Sequence, residues 1–215
     1  DAATRVFGQI DRDSRLKSQA SGRFFDLMLK AGQWQSAGRL WRNTVVGAEE
    51  NERELLWNGS FEHQVPKWLM HFDWQLGQSK FARFQLSTVR AHSGQRSLTI
   101  SYQGMDTTKL DGEVHRLVLV QPGTAYRLEF FARTEQLLTP DGPQLAILRA
   151  DNREVIASSS PVPYGSNDWQ MMTIDFTAPP DLQAVLVAVK QTPRYSYVEP
   201  TTGMVRFDDF NLRAQ

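Results

Sequence analysis

The stretch Leu117-Val118-Leu119-Val120-Gln121-Pro122-Gly123-Thr124-Ala125-Tyr126-Arg127-Leu128-Glu129-Phe130 decides the fold. In its second half Tyr126, Leu128 and Phe130 alternate with Arg127 and Glu129, the period of a half-buried strand. In its first half Leu117 and Leu119 alternate with Val118 and Val120, a strand pattern apolar on both sides. Pro122-Gly123 supplies the tight turn between them. Tyr126 then begins the second strand with a buried ring and a hydroxyl that needs a partner.

The period of two extends in both directions from this hairpin. Phe84, Leu86 and Thr88 alternate with Gln85 and Ser87, and Leu98 and Ile100 with Ser97, Thr99 and Ser101. Further strands are expected at 144–149, 154–158, 169–176, 182–190 and 204–212, punctuated by Asp141-Gly142-Pro143 and Pro179-Pro180-Asp181. About ten short strands with no helical pattern between them predict a mainly β protein, an antiparallel β-sandwich or jelly roll over residues 55–215.

Upstream the period changes. Residues 1–47 read as helix: Phe24, Phe25, Leu27, Met28 and Leu29 precede Gly32, and Trp34, Ala37, Leu40, Trp41 and Val45 mark one apolar face. The short Ala31-Gly32-Gln33 link makes the pair an αα-hairpin. The stretch FFDLMLKAGQWQSAGRLWRNTV resembles one tetratricopeptide-type repeat. A single repeat cannot bury both faces, so the pair either ends a longer array or docks on the sandwich. Ala48 to Glu54, rich in glutamate (Glu49, Glu50, Glu52, Glu54), is the expected linker at 48–54. The opening Asp1-Ala2-Ala3, together with the lone repeat, suggests a piece of a longer chain.

Composition excludes several classes of function. Lysine plus arginine equals aspartate plus glutamate, 24 each, so no global field favours nucleic acid or an anionic membrane. The absence of cysteine removes disulfides, thiolate catalysis and cysteine-ligated metals. Apolar runs fall far short of the roughly 20 residues of a transmembrane span. The histidines His63, His71, His92 and His115 lack metal-ligand spacing, and Ser158-Ser159-Ser160 lacks the Gly-x-Ser-x-Gly context of a nucleophile elbow. No carboxylate pair is singled out for glycoside hydrolysis. The expectation is a protein that is not an enzyme.

Six fragments, in order, carry a resemblance. They are Asn58-Gly59-Ser60-Phe61-Glu62; Phe72-Asp73-Trp74; His92-Ser93-Gly94-Gln95-Arg96-Ser97-Leu98; Pro122-Gly123-Thr124-Ala125-Tyr126-Arg127-Leu128; Asp168-Trp169 with Phe176-Thr177-Ala178-Pro179; and Phe207-Asp208-Asp209-Phe210-Asn211-Leu212. Together they resemble carbohydrate-binding modules of the galactose-binding-like jelly-roll superfamily. The resemblance implies a non-catalytic module that binds polysaccharide, in the periplasm or cell envelope and beside helical repeats. The alternative it leaves open is a structural or protein-interaction module.

The resemblance also implies a structural Ca2+ held by Glu62, backbone carbonyls around Ser93 and Gly94, and Asp208 or Asp209. The competing reading pairs these carboxylates with Arg96 or Arg206. Sugar recognition needs flat aromatic faces and polar groups in loops or on a solvated face. On that basis Trp68, His71, Tyr102, Gln103, Tyr164, Arg194, Tyr195 and Tyr197 are the candidate ligand contacts. A groove lined by Trp68 and the Tyr195/Tyr197 loop is the expectation for the sugar reading, and Trp34 and Trp41 packed on the sandwich for the alternative. Trp74, Trp169 and Phe176 are read as core.

Overall fold

The structure, a computed structural model, describes residues 2–46, 54–105, 107–139, 141–193 and 200–215. Ten strands follow one another as β1 (Gln75–Leu76), β2 (Ala82–Ser87), β3 (Ser97–Tyr102), β4 (Leu110–Leu119), β5 (Ala125–Leu138), β6 (Gln144–Arg149), β7 (Val155–Ser158), β8 (Gly165–Thr177), β9 (Ala184–Gln191) and β10 (Thr202–Ala214). They form two five-stranded sheets whose described pairings are antiparallel, in the orders β1-β4-β9-β6-β7 and β2-β3-β10-β5-β8. The sequence places each strand from β2 to β10. It misses the two-residue β1, too short to show a period, and stops β5 eight residues early.

The sheets face each other across one apolar core. Leu98 and Ile100 of β3, Leu128 and Phe130 of β5 and Val205 and Phe207 of β10 meet Val114 and Val118 of β4, Leu145 and Ile147 of β6 and Val185, Val187 and Val189 of β9. Fully burying each aliphatic or phenyl side chain contributes about 1.5–3 kcal/mol before conformational entropy is counted. The sequence motifs are core fittings. Gly59 lies so close to the last strand that a Cβ there would come within 1.9 Å of the Phe210 carbonyl oxygen. Beside it Phe61, Trp74 and Phe210 form an aromatic cluster with centroids 4.6–5.8 Å apart. Phe176 stacks on Tyr126 at 5.4 Å. The Tyr126 hydroxyl accepts the Gln121 N–H at 2.7 Å, so the hairpin turn provides the partner that the ring requires.

Below this cluster lies a buried polar chain. The Asn58 amide donates to Asp73 at 3.1 and 3.2 Å, and Arg116 approaches the same carboxylate at 3.5 Å. Burial pushes the Asp73 carboxyl above its ordinary range although Arg116 opposes it. Burial likewise brings the Arg116 guanidinium down to about 10.

The helical segment covers the outer surface of the first sheet. Its elements are α1 (Ala2–Gln9), α2 (Arg12–Lys17), α3 (Gln19–Lys30) and α4 (Trp34–Val45), with a 3-10 helix, Lys67–Phe72, between α3 and α4 and the sandwich. Phe25, Met28, Ala37, Leu40, Trp41, Leu69 and Phe72 pack on Leu117, Ala146, Leu148, Ala184, Leu186 and Ala188, with Trp34 partly buried at the edge. This second apolar layer is why β4, β6 and β9 are apolar on both sides: odd and even positions face different cores. Gly38 permits the close approach of α4, since a Cβ there would lie 2.2 Å from a Leu119 methyl. The Trp41 indole N–H donates to the Leu69 carbonyl. Arg12 caps the free carbonyls at the end of α4, reaching Thr44 at 3.0 Å and Val45 at 2.9 Å. The expected linker, apart from Glu54, lies outside the described residues.

Candidate functional site

With helices on the first sheet, the outer face of the second sheet is the other broad β surface; its outward residues Ser97, Thr99, Arg206 and Asp208 are buried, and exposure is greatest toward β5 and β8, at Arg127, Met171 and Asp175. Its core-facing residues on β5 are Tyr126, Leu128, Phe130 and Ala132. Alternation therefore turns Arg127, Glu129, Phe131, Arg133 and Glu135 outward. Across β8, Phe131 pairs with Met171, which is 60% exposed. Across β10, Phe131 pairs with Asp208, Arg133 with Arg206 and Glu135 with Met204; Arg206 in turn pairs with Thr99 on β3.

Three rings gather there. The His92 imidazole stacks on Phe131 at a centroid distance of 3.6 Å, and Trp169 meets His92 edge-on at 5.6 Å. Trp169 is thus a half-buried residue of the outer face, which corrects its reading as core: it sits one position out of phase with the inward Met172, Ile174 and Phe176. Beside the rings stands a charged cluster. One oxygen of Glu135 lies 2.7 Å from Arg206, 3.5 Å from Arg133 and 3.6 Å from Arg90. Burial alone would raise the Glu135 carboxyl, but Arg206 and then Arg133 outweigh it and hold it below the usual carboxylate range. Arg133 also pairs with Asp168, whose side chain is 85% exposed. Among the described residues, Arg206 Nε and Thr99 Oγ1 are buried without a hydrogen-bond partner.

Irregular backbone borders this patch. The β5–β8 register shifts between Ala132 and Thr134 and again between Thr134 and Leu137, and Gln136 takes φ +47°. Bulges of this kind re-aim side chains at the edges of sites. Ser166 Oγ accepts the Gln136 N–H at 2.9 Å, and Asn167 donates to Thr134 Oγ1 and to the Tyr164 carbonyl, at 2.9 and 2.8 Å. Tyr164, 78% exposed, stands where β8 begins, at the same end of the sheet.

The other expected contacts are dispersed. Trp68 lies in the 3-10 helix on the opposite, helical side; its indole N–H donates to the Leu16 carbonyl at 3.1 Å, and Gly22 of α3 packs on its backbone. His71 is close by, with Nε2 2.9 Å from Asp26 and its ring against Phe25. These two line a cavity of about 320 Å3 with Arg23 and Lys67, remote in the fold from the second sheet's outer face. Tyr102 is a core residue: its hydroxyl donates to Gln191 Oε1 at 2.8 Å between the sheets, and burial pushes that hydroxyl far up. That corrects its reading as a ligand contact: it ends β3, in phase with the inward Leu98 and Ile100. Gln103 is exposed just past the end of β3. Arg194, Tyr195 and Tyr197 lie outside the described residues.

The expected calcium ligands do converge. Glu62 reaches the Ser93-Gly94 turn, where a Cβ on Gly94 would fall 2.5 Å from Glu62 Oε1, and both aspartates reach it from β10. Their oxygens, however, meet hydrogen-bond donors. Glu62 Oε1 accepts the N–H groups of Gln95 and Arg96, each at 2.8 Å. Asp208 Oδ2 accepts the His92 N–H at 2.7 Å, and Asp209 takes the Ser93 hydroxyl at 2.7 Å and lies 2.6 Å from His92 Nδ1. Calcium wants six to eight oxygens with free lone pairs, several of them carbonyls. A turn that presents N–H groups to carboxylates has the opposite polarity, and among the described residues no three His, Cys, Asp or Glu side chains gather as a metal site. The donor set in this arrangement does not fit the ion. The turn also positions the site, since His92 is the ring on Phe131.

No family model matches the chain, and no curated protein matches it. Solved structures do share its fold. A family 4 carbohydrate-binding module is 20% identical over 74% of this chain and 99% of its own, with a TM-score of 0.52. The C-terminal family 22 carbohydrate-binding module of Clostridium thermocellum Xyn10B is 16% identical over 77% of this chain and 96% of its own, with a TM-score of 0.51. At such identities the likeness establishes architecture: a two-sheet antiparallel sandwich of the kind these modules use, with helices added at its N-terminal side.

Proposed function

We propose that this chain is a non-catalytic carbohydrate-binding module whose binding surface is the outer face of the second sheet. The observation that carries this reading is the Phe131–His92–Trp169 ring group set beside the Arg133, Glu135 and Arg90 cluster. Aromatic faces accept the apolar face of a pyranose, while guanidinium and carboxylate groups hydrogen-bond its hydroxyls. The solved modules that share the fold support the same reading. Attachment to helical repeats and residence at the cell envelope are parts of the proposal.

Calorimetric titration with a panel of neutral and acidic oligosaccharides at millimolar sugar tests it. Binding to at least one member is expected, and Trp169→Ala should weaken it about tenfold or more, as loss of a central aromatic does in other interfaces. Absence of heat across the panel would contradict the proposal.

A second reading has its own support. The helical layer already uses the outer face of the first sheet for packing, with Trp41 2% exposed. In a purely structural module the second sheet would receive a protein partner in the same way. Its mark would be saturable capture of a protein by a surface that takes no sugar.

A further inference from the structure

The outer face of the second sheet treats its arginines in two ways. Toward one end they pair one to one with carboxylates: Arg127 is bidentate on Asp175, at 2.7 and 2.8 Å, and Arg213 pairs with Glu129. Toward the other, three guanidinium groups share a single Glu135 oxygen. Arg206 holds that oxygen at hydrogen-bond distance, 2.7 Å, which leaves Arg133 and Arg90 with long contacts of 3.5 and 3.6 Å. Asp168, the anion paired with Arg133, is 85% exposed, and an ion pair in that setting is screened by solvent and salt; Asp208 and Asp209 are engaged by the His92–Ser93 turn. Arg83, exposed on β2, adds a fourth positive charge along the same cross-strand row, Arg83–Ser101–Met204–Glu135. Arg206 itself is 5% exposed, so it serves to hold Glu135 while Arg133 and Arg90 face outward.

Resting on the carbohydrate-binding reading, we infer that this surface selects sugars bearing a carboxylate, with the uronate group seated between Arg133 and Arg90. The pyranose ring then lies on the adjoining Trp169–His92 rings. Glu135 stays on Arg206 and fixes the fork of the two arginines. The incoming carboxylate takes the place of Asp168 on Arg133, so one solvated anion is exchanged for a ligand anion held by planar donors on two sides. A neutral sugar offers no such exchange.

The test is a titration of the whole chain with oligogalacturonate, oligoglucuronate and oligomannuronate, each against its own methyl ester, at low and at high salt. The ester keeps the ring and removes the charge. At least one acid should bind about tenfold tighter than its ester at low salt, the difference that one charge-assisted contact commonly makes, and the gap should narrow at high salt. Arg133→Gln and Arg90→Gln should bring the acid down to the affinity of the ester, while Arg127→Gln, at the far end of the face, should leave the preference intact. Equal affinity for acid and ester, with binding present, overturns the inference and leaves the carbohydrate reading standing. A preference that survives both arginine substitutions also overturns it. Silence from acids, esters and neutral sugars alike overturns both.

Discussion

Glycine 94 shows how much of this protein turns on single atoms. Its φ of +59° lies in the left-handed region, and the space a Cβ would take is filled by the Glu62 carboxylate. Gly94→Ala should therefore lower stability by about 1–3 kcal/mol, measured by urea denaturation, and should displace the His92 turn as well. Asp208 gives a pH signature. Burial lifts its carboxyl to about 6, from an ordinary value near 3.8, against the backbone hydrogen bonds that lower it. The folded state then binds more protons than the unfolded one between these two values, so this group's contribution is fully present below about pH 3.8 and is lost as pH rises through about 6. Comparing denaturation at pH 5 and pH 7, we expect Asp208→Asn to remove part of the wild-type decline; an unchanged decline would refute the assignment. Because these carboxylates are engaged by N–H donors, a chelator should leave the melting temperature unchanged. A rise of several degrees on adding calcium would show that the turn rearranges to hold the ion.

At the scale of elements, the helical layer and β5 carry the argument. Trp41 fills the junction between α4, the 3-10 helix and the first sheet, beside Trp57 at 5.8 Å and Phe72 at 5.7 Å. Trp41→Ala should cost about 3–5 kcal/mol, and hydrogen exchange should show α3 and α4 losing protection before the strands of the sandwich. The strands themselves were legible because period two needs no partner to be seen: β2 through β10 could be located from alternation and turns. The outer-face site was less legible. Alternation past Phe130 puts Phe131, Arg133 and Glu135 on one face, but nothing local says whether that face is bare or covered. Likewise β9 is apolar from Ala184 to Val189, and the docked helices explain why Leu186 and Ala188 are buried on the side away from the sandwich core. Tyr102 and Trp68 show the converse limit. Each is an aromatic at the end of an element or in a loop, and each is spent on an internal hydrogen bond that sequence cannot reveal.

At the scale of the molecule there are three layers, helices, first sheet and second sheet, with two apolar interiors between them. This arrangement sets what each face can do. The first sheet has an apolar layer on each side, and the outer face of the second is the proposed binding surface. The six motif fragments pointed to this architecture correctly because they are core and turn residues, conditions of the fold. For the same reason they did not point to the proposed binding surface, whose residues lie outside the motifs or, like Trp169 and His92, inside them for another purpose. The most direct test is an amide-resolved NMR titration of the intact chain with a sugar that binds in calorimetry. The account predicts shift changes centred on Phe131, Arg133, Trp169 and the Arg90–His92 turn, with the helical side around Trp68 and His71 silent. Changes confined to Trp68, His71 and the helices, with the outer face of the second sheet unmoved, would contradict it.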